Sequence, residues 1–237
     1  MPCLLFKKVL ETAAIIVAAG QGSRVGGILP KQFQSVGGKP ILSYTLQKFE
    51  DCSRIQDVIL VTASEWVTYT AQEIVAPSDL KKVIKIVAGG EQRQDSVFAG
   101  LKALEGHPDF VAIHDAVRPF ISVEKLEAAI DACKEHGAAI LAVPPKDTIK
   151  TEKSGFVDET PDRSFLWSVQ TPQVFKYDLI MKAYQKAFED GVYHTDDSAL
   201  VERIGKKVKI VEGEHDNIKV TVPMDLKWAE IKLTMDN

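Results

Sequence analysis

The sequence predicts an α/β fold: a mostly parallel sheet with helices on both faces. Three observations carry that prediction. An uninterrupted apolar run over residues 13–19 ends in a glycine turn, short β-type runs then alternate with helical spacings, and polar clusters recur just after the β-type runs. A chain of 237 residues is compatible with one large α/β domain or two small ones. No repeat, low-complexity segment or clear boundary divides it, so a single domain over 1–237 is expected.

Each element has its own reason. Residues 13–19 lack a polar interruption, as suits a strand buried on both faces of a parallel sheet. Ile41, Leu42, Leu46 and Phe49 give residues 40–50 a helical spacing. Residues 57–63 read as a second strand and 68–75 as a helix. Residues 82–88 alternate in part and suit a third strand, and Val97, Leu101 and Leu104 on one face make 95–104 a helix. A strand over 110–114 precedes a helix over Val123–His136, with Leu126, Ile130 and Cys133 inward, and a further buried strand over Ala138–Val143. After Val143 the rhythm breaks. Pro144-Pro145 leads into a polar stretch over 151–164 containing Gly155 and Pro161, read as a protruding β-arm that returns at 165–175. Residues 207–211 form a last strand, and Pro223 opens a C-terminal helix as its first residue.

Composition narrows the function. With 45% hydrophobic and 26% charged residues the chain can bury a proper core and stay soluble. A net charge of -4 argues against non-specific nucleic-acid binding, which usually needs a basic surface. Cys3, Cys52 and Cys133 are odd in number, far apart and without metal spacing, so a reducing compartment is expected, with the thiols as small apolar fillers. The first residues carry no h-region of signal-peptide length and no apolar run approaches a membrane span. A cytoplasmic location, with no membrane partner, is the expectation.

The turn after the first strand carries the strongest chemical signal. Gly20 and Gly22 let the backbone turn sharply and approach a ligand, and unpaired N–H groups in such a turn cradle anions. Arg24 and Lys31 add two cations, with no acidic residue between Gly20 and Lys31. The stretch reads as a phosphate site; an ordinary βα turn with solvated charges is the plainer alternative. Neither standard phosphate motif is present, since G-x-x-x-x-G-K-[ST] is absent and Val25 takes the third glycine's place in G-x-G-x-x-G.

Ligands of such sheets bind beyond the carboxyl ends of the strands. After the third strand, Gly89 and Gly90 permit close approach to a flat base edge, and Ser96 either bonds a ligand or sits in a helix's first turn with Asp95 as cap. After the fourth, Asp115 is placed to hold Mg²⁺, a hard cation that prefers carboxylate and phosphate oxygens; an ion pair with Arg118 is the alternative. Arg163, Thr171-Pro172-Gln173 and His194-Thr195-Asp196-Asp197 are further polar clusters. No serine has an elbow context and the five histidines are scattered, so covalent catalysis lacks support. Cations, a carboxylate and glycine turns fit phosphoryl or nucleotidyl transfer, where positioning and charge stabilisation dominate.

Eight strings occur in order: Ala18-Ala19-Gly20-x-Gly22-x-Arg24, Pro30-Lys31-Gln32, Gly89-Gly90-x-x-Arg93-x-Asp95-Ser96, His114-Asp115-Ala116-x-Arg118-Pro119, Asp147-Thr148-x-Lys150, Thr171-Pro172-Gln173, Thr195-Asp196-Asp197 and Asn217-Ile218-Lys219-Val220-Thr221. Together they resemble the 2-C-methyl-D-erythritol 4-phosphate cytidylyltransferases, the CTP-using enzymes of non-mevalonate isoprenoid synthesis, over nearly the whole chain after residue 12. Ribitol-5-phosphate cytidylyltransferases share the scaffold and several strings; the Ala-Ala-Gly turn and the double acid Asp196-Asp197 favour the methylerythritol branch. One departure is Ser198-Ala199, where the family pattern has Ala-Ser.

The resemblance implies a Rossmann-like nucleotidyltransferase scaffold that binds CTP with Mg²⁺. Its nucleotide site would comprise Ala18, Ala19, Gly20 and Gly22 on the first loop, with Gly89, Gly90, Glu91, Ser96 and Ala116 around the base. Arg24 and Lys31 would neutralise charge on the α-phosphate and leaving group. Asp115, Thr148, Arg163, Thr171, Thr195 and Lys219 would hold methylerythritol phosphate, with Arg163 and Lys219 also counted as catalytic and Asp115 as the metal ligand. Retention of Arg24, Lys31 and Asp115 together speaks against a non-catalytic nucleotide-binding module. A homodimer is expected through the arm at about 146–165, because Ile149, Phe156 and Val157 are costly to leave wet and two-fold packing buries them in both chains.

Overall fold

The computed structural model describes residues 10–20 and 29–235. Strand β1 (Thr12–Ala18) lies inside the main sheet and is covered on both sides. Its side chains alternate, as a pleated strand requires. Ala14, Ile16 and Ala18 enter one hydrophobic cluster, and Ala13 and Ile15 enter the cluster on the opposite face. Thr12 to Ile16 and Ala18 are buried, and Val17, partly buried, reaches the cavity at the strand's carboxyl end.

A 3₁₀ turn (Lys31–Phe33) and a small hairpin of β2 (Ser35–Val36) and β3 (Lys39–Pro40) lead into α1 (Ile41–Asp51). After β4 (Asp57–Thr62) the helix expected over 68–75 is longer and less regular. It comprises a 3₁₀ turn (Ser64–Trp66), one α turn, α2 (Val67–Tyr69), and a π-helical stretch (Thr70–Val75). β5 (Val83–Ala88) and α3 (Arg93–Ala103) follow. The start of α3 corrects the expected bounds: Gln92 is the cap, and Asp95 is the third helical residue, whose Oδ2 accepts the Gln92 N–H at 2.9 Å. The two form a reciprocal capping box.

β6 (Phe110–Asp115), α4 (Val123–His136) and β7 (Ala138–Val143) come next. The bounds of α4 are those expected, and both have a local cause. Ser122 Oγ accepts the Lys125 N–H at 3.2 Å, and Gly137, at φ 87°, ends the helix in the left-handed region that favours glycine. The arm is a hairpin of β8 (Thr151–Lys153) and β9 (Phe156–Glu159), turned by Ser154 and Gly155 at positive φ and exposed along its whole length. β10 (Ser168–Lys176) then returns to the main sheet.

Two helices had no assignment from the sequence, α5 (Tyr177–Glu189) and α6 (Asp197–Arg203). The chain continues with β11 (Lys209–Glu212) and α7 (Pro223–Met235). The seven-stranded sheet has the order β11-β7-β10-β6-β1-β4-β5, and every pairing is parallel except those of β10 with β6 and β7. Leu42, Leu46 and Phe49 of α1 and Leu126, Ile130 and Cys133 of α4 cover one face. Val97 and Leu101 of α3, Ile180 and Tyr184 of α5, and Leu200 and Val201 of α6 cover the other.

Among the described residues no helix is long and apolar enough to cross a membrane. Cys52 and Cys133 are buried free thiols, and burial pushes the Cys133 thiol up to about 12. Both act as apolar filling, as expected.

Candidate active site

Two cavities open at the carboxyl ends of the parallel strands, and they share three residues: Arg93, Asp115 and Lys219. The larger, about 720 Å³, is framed by the ends of β1, β4, β5 and β6. Ala18, Ala19, Gly20, Gly89, Gly90, Glu91, Ser96 and Ala116 all line it, together with Lys31. Gly22 and Arg24 lie outside the described residues. The second cavity, about 490 Å³, is lined by Thr171 and Thr195 as well as Asp196, Gln173 and Arg118.

The glycine pair after β5 is required by close approach. A Cβ on Gly89 would stand 2.5 Å from Ser96 Oγ and 2.7 Å from the Ala19 Cβ, and one on Gly90 would collide with Asp95. Ser96 itself is 2% exposed; its Oγ accepts the Gly90 N–H at 3.2 Å and lies 3.1 Å from the Gln92 carbonyl. It therefore sits in the first turn of α3 and also faces the cavity. Gln32, quoted from the sequence but given no role, shapes the opposite wall. Its Nε2 donates to Ala18 O at 2.6 Å and Gly20 O at 3.2 Å, tying down the end of β1.

Asp115 stands at the junction of the cavities. Lys219 Nζ lies 2.7 Å from its Oδ2, Arg93 Nε 3.2 Å from its Oδ1 and Arg118 Nε 3.7 Å from Oδ2. Burial disfavours its charge, but Arg93, Lys219 and Arg118 outweigh that and hold the carboxyl well below the usual range. The pairing with Arg118 thus exists, as the longest of three. As a metal site, the donor set is one hard carboxylate, and no group of three His, Cys, Asp or Glu exists among the described residues. An Mg²⁺ held here would take one oxygen from Asp115 and its other ligands from a bound triphosphate, whose charge it would partly neutralise.

Behind Asp115 runs a buried relay. The Asp115 N–H donates to Thr171 Oγ1 at 3.1 Å, and Thr171 Oγ1 lies 3.0 Å from His114 Nδ1. His114 Nε2 lies 3.1 Å from the Arg118 carbonyl. A carbonyl only accepts, so Nε2 carries the proton and Nδ1 accepts from the Thr171 hydroxyl. Thr171, nominated for the substrate, lines the second cavity while its hydroxyl serves this relay. Burial lowers His114 to about 4, against the bond to Arg118 and the nearby Asp115 charge.

Lys219 is brought in by a loop that Asn217 fastens. Asn217 is fully buried; its Nδ2 donates to Thr171 O at 2.9 Å, and Arg118 Nη1 donates to its carbonyl at 2.7 Å. The acceptor comes from an irregular part of β10. Three residues there, 170–172, face one residue of β7, and the Thr171–Pro172 peptide is cis.

Two nominated residues stand apart. Thr148 and Arg163 line neither cavity; both are exposed on the segment around the arm, and Arg163 Nη1 donates to the Lys146 carbonyl at 3.0 Å. Ser198, where the sequence departs from the family pattern, is 3% exposed and donates its hydroxyl to Asp196 at 2.8 Å.

The model of the 2-C-methyl-D-erythritol 4-phosphate cytidylyltransferase family matches residues 12–235. The chain belongs to that family. A 2-C-methyl-D-erythritol 4-phosphate cytidylyltransferase of Clostridium botulinum is 49% identical over 219 residues, covering 92% of this chain and 97% of the relative. One from Caldanaerobacter subterraneus subsp. tengcongensis is 44% identical over 225 residues, covering 94% and 99%. Among solved structures, the 4-diphosphocytidyl-2C-methyl-D-erythritol synthase of Anaerococcus prevotii superposes with a TM-score of 0.85 at 35% identity, over 95% of this chain and 99% of the other. The α/β fold and the transferase class expected from the motifs therefore both stand.

Proposed function

We propose that this cytidylyltransferase joins CTP to 2-C-methyl-D-erythritol 4-phosphate, giving the CDP-linked methylerythritol and pyrophosphate. The observation that carries the reading is the meeting of two cavities over Arg93, Asp115 and Lys219. A transfer between two phosphates needs two adjacent sites with cations where they touch.

CTP takes the larger cavity, its base against the Gly89-Gly90 turn and its phosphates toward Lys31. The sugar phosphate takes the second, near Thr195, Thr171 and Lys219. A phosphate oxygen of the sugar phosphate attacks the α-phosphorus; the bond from that phosphorus to the β-bridging oxygen breaks, and pyrophosphate leaves with the electron pair. The nucleophile is already anionic, so no side chain needs to remove a proton. Lys31 and Lys219 supply fixed positive charge where charge gathers. Mg²⁺, when bound with the triphosphate, neutralises part of its charge, and Asp115 is the residue to hold it.

We read the arm as the contact between two copies. Phe156 is 78% exposed, Val157 65% and Phe165 81%, too much apolar surface to stay wet in one place. Thr148 and Arg163, which line neither cavity of their own chain, then serve the neighbour. Free buried thiols support a cytoplasmic setting.

The test is specificity. Pyrophosphate release with CTP should show a kcat/KM for methylerythritol phosphate at least about tenfold above that for ribitol 5-phosphate. The reverse order would make it a pentitol-phosphate enzyme on the same scaffold.

A further inference from the structure

Of the three residues that line both cavities, Asp115 and Lys219 have places in the reading above and Arg93 has none. Its guanidinium is held by two carboxylates. Nη1 and Nη2 donate to the two oxygens of Asp197 at 3.0 and 2.8 Å, and Nε donates to Asp115 Oδ1 at 3.2 Å. Asp197 is 1% exposed, and its Oδ1 also accepts from the phenol of Tyr184, a fully buried core residue of α5. The carboxylate is thus anchored in the core, and the arginine is anchored to the carboxylate. Such a fork–fork pair fixes direction as well as distance.

A guanidinium carries five N–H groups. Asp197 and Asp115 take three of them, leaving two without a partner among the described residues. The group is planar, so one of these two lies on the same edge as Nε–H, beside Asp115 and toward the junction. A donor held rigid, charged and aimed at the boundary between two phosphate sites has the properties that transition-state stabilisation needs. Asp197 and Asp115 outweigh the effect of burial and keep the guanidinium charged.

We propose that Arg93 is a catalytic residue of the transfer, donating from its Nε edge to a non-bridging oxygen on the α-phosphorus as the sugar phosphate attacks. Asp197 and Tyr184 act through it as positioning residues. The alternative is that Arg93 does no more than balance two buried carboxylates. The two differ in what a lysine can replace. Lysine keeps the charge, but one ammonium cannot pair with Asp197, reach Asp115 and present a directed donor together.

The proposal rests on the cytidylyl-transfer reading, so wild type is assayed first with CTP and methylerythritol phosphate. If wild type releases no pyrophosphate, that reading falls and this one with it. With wild type active, the full-length Arg93→Lys and Arg93→Ala variants are compared for kcat, both KM values, CTP affinity and melting temperature. Arg93→Lys should lower kcat about 10²-fold while CTP affinity stays within about threefold. Guanidinium ion at millimolar concentration should raise the kcat of Arg93→Ala, and ammonium at equal ionic strength should not. Tyr184→Phe, which keeps the ring in the core, should lower kcat a few-fold with both KM values unchanged. Near wild-type kcat in Arg93→Lys would reduce Arg93 to a counter-ion. A parallel loss of CTP affinity, or equal responses to guanidinium and ammonium, would also overturn the catalytic role.

Discussion

Lys219 Nζ lies 2.7 Å from Asp115 Oδ2, a lysine from the loop before α7 closing on a carboxylate at the end of β6. Without phosphate the carboxylate is the lysine's partner, and with phosphate the lysine has a stronger anion to meet. Lys219→Met keeps the side-chain length and removes the charge. We expect kcat to fall about 10²-fold, with CTP affinity in the absence of the second substrate changed by less than about threefold. Titration of CTP beside steady-state kinetics checks this; an equal loss in both would move Lys219 to nucleotide binding.

The relay behind Asp115 predicts a pH dependence of stability. His114 titrates at about 4 in the fold and near 6.5 in the unfolded chain. Between those values the unfolded chain binds a proton that the folded chain refuses, so stability falls as pH drops from 6.5 to about 4. The contribution is about 3 kcal/mol across that window. Denaturant titrations of wild type and His114→Gln should show the slope in wild type and its loss in the variant, whatever the variant's absolute stability. Identical slopes would mean that His114 is not the group refusing the proton.

Gly89 has no room for a methyl group: Ser96 Oγ and the Ala19 Cβ stand within 2.7 Å of where it would lie. Overpacking of this kind typically costs about 1–3 kcal/mol. In Gly89→Ala the displaced neighbours line the nucleotide cavity, so CTP should bind about tenfold more weakly. Calorimetric titration reads this directly, and unchanged affinity would place the base elsewhere.

Much of this arrangement was legible before folding. The doubly covered β1 showed as an unbroken apolar run, and α4 was bounded by Ser122 and Gly137, whose capping chemistry is local. The arm showed as polar chain with too few apolar residues for a core. Other features had no local signature. The direction of β10 depends on which strands it joins, since alternation reads the same in either sense. Arg93 and Asp197 are 104 positions apart, and nothing at either place announces the other. The helix α5 is a different kind of omission. Ile180, Ala183, Tyr184 and Ala187 carry the helical spacing plainly, but lie between the polar clusters at 171–173 and 194–197, which drew the reading to chemistry instead of periodicity. The irregular 64–75 segment was underestimated because periodicity does not distinguish 3₁₀ and π turns from α.

The arm can be tested by complementation. Arg163 is exposed, donates to the Lys146 carbonyl and lines neither cavity of its own chain. Chains carrying Arg163→Ala and chains carrying Lys219→Ala should each be nearly inactive. Mixed after mild dissociation, they form dimers in which one site holds both lesions and the other none, so about half of the mixed dimers' sites' activity should return if Arg163 works across the interface. No recovery in verified mixed dimers would assign Arg163 to its own chain.

In the proposed reaction a cytidylyl group passes from one phosphate to another at the junction over Arg93, Asp115 and Lys219. Phosphorus NMR of CTP with methylerythritol phosphate and Mg²⁺ tests it most directly. The three CTP signals and the sugar-phosphate signal should decline together, while two coupled diphosphate-diester signals and one pyrophosphate signal grow in equal molar amounts. Persistence of CTP beside unchanged sugar phosphate, or release of inorganic phosphate without a diester, would contradict it.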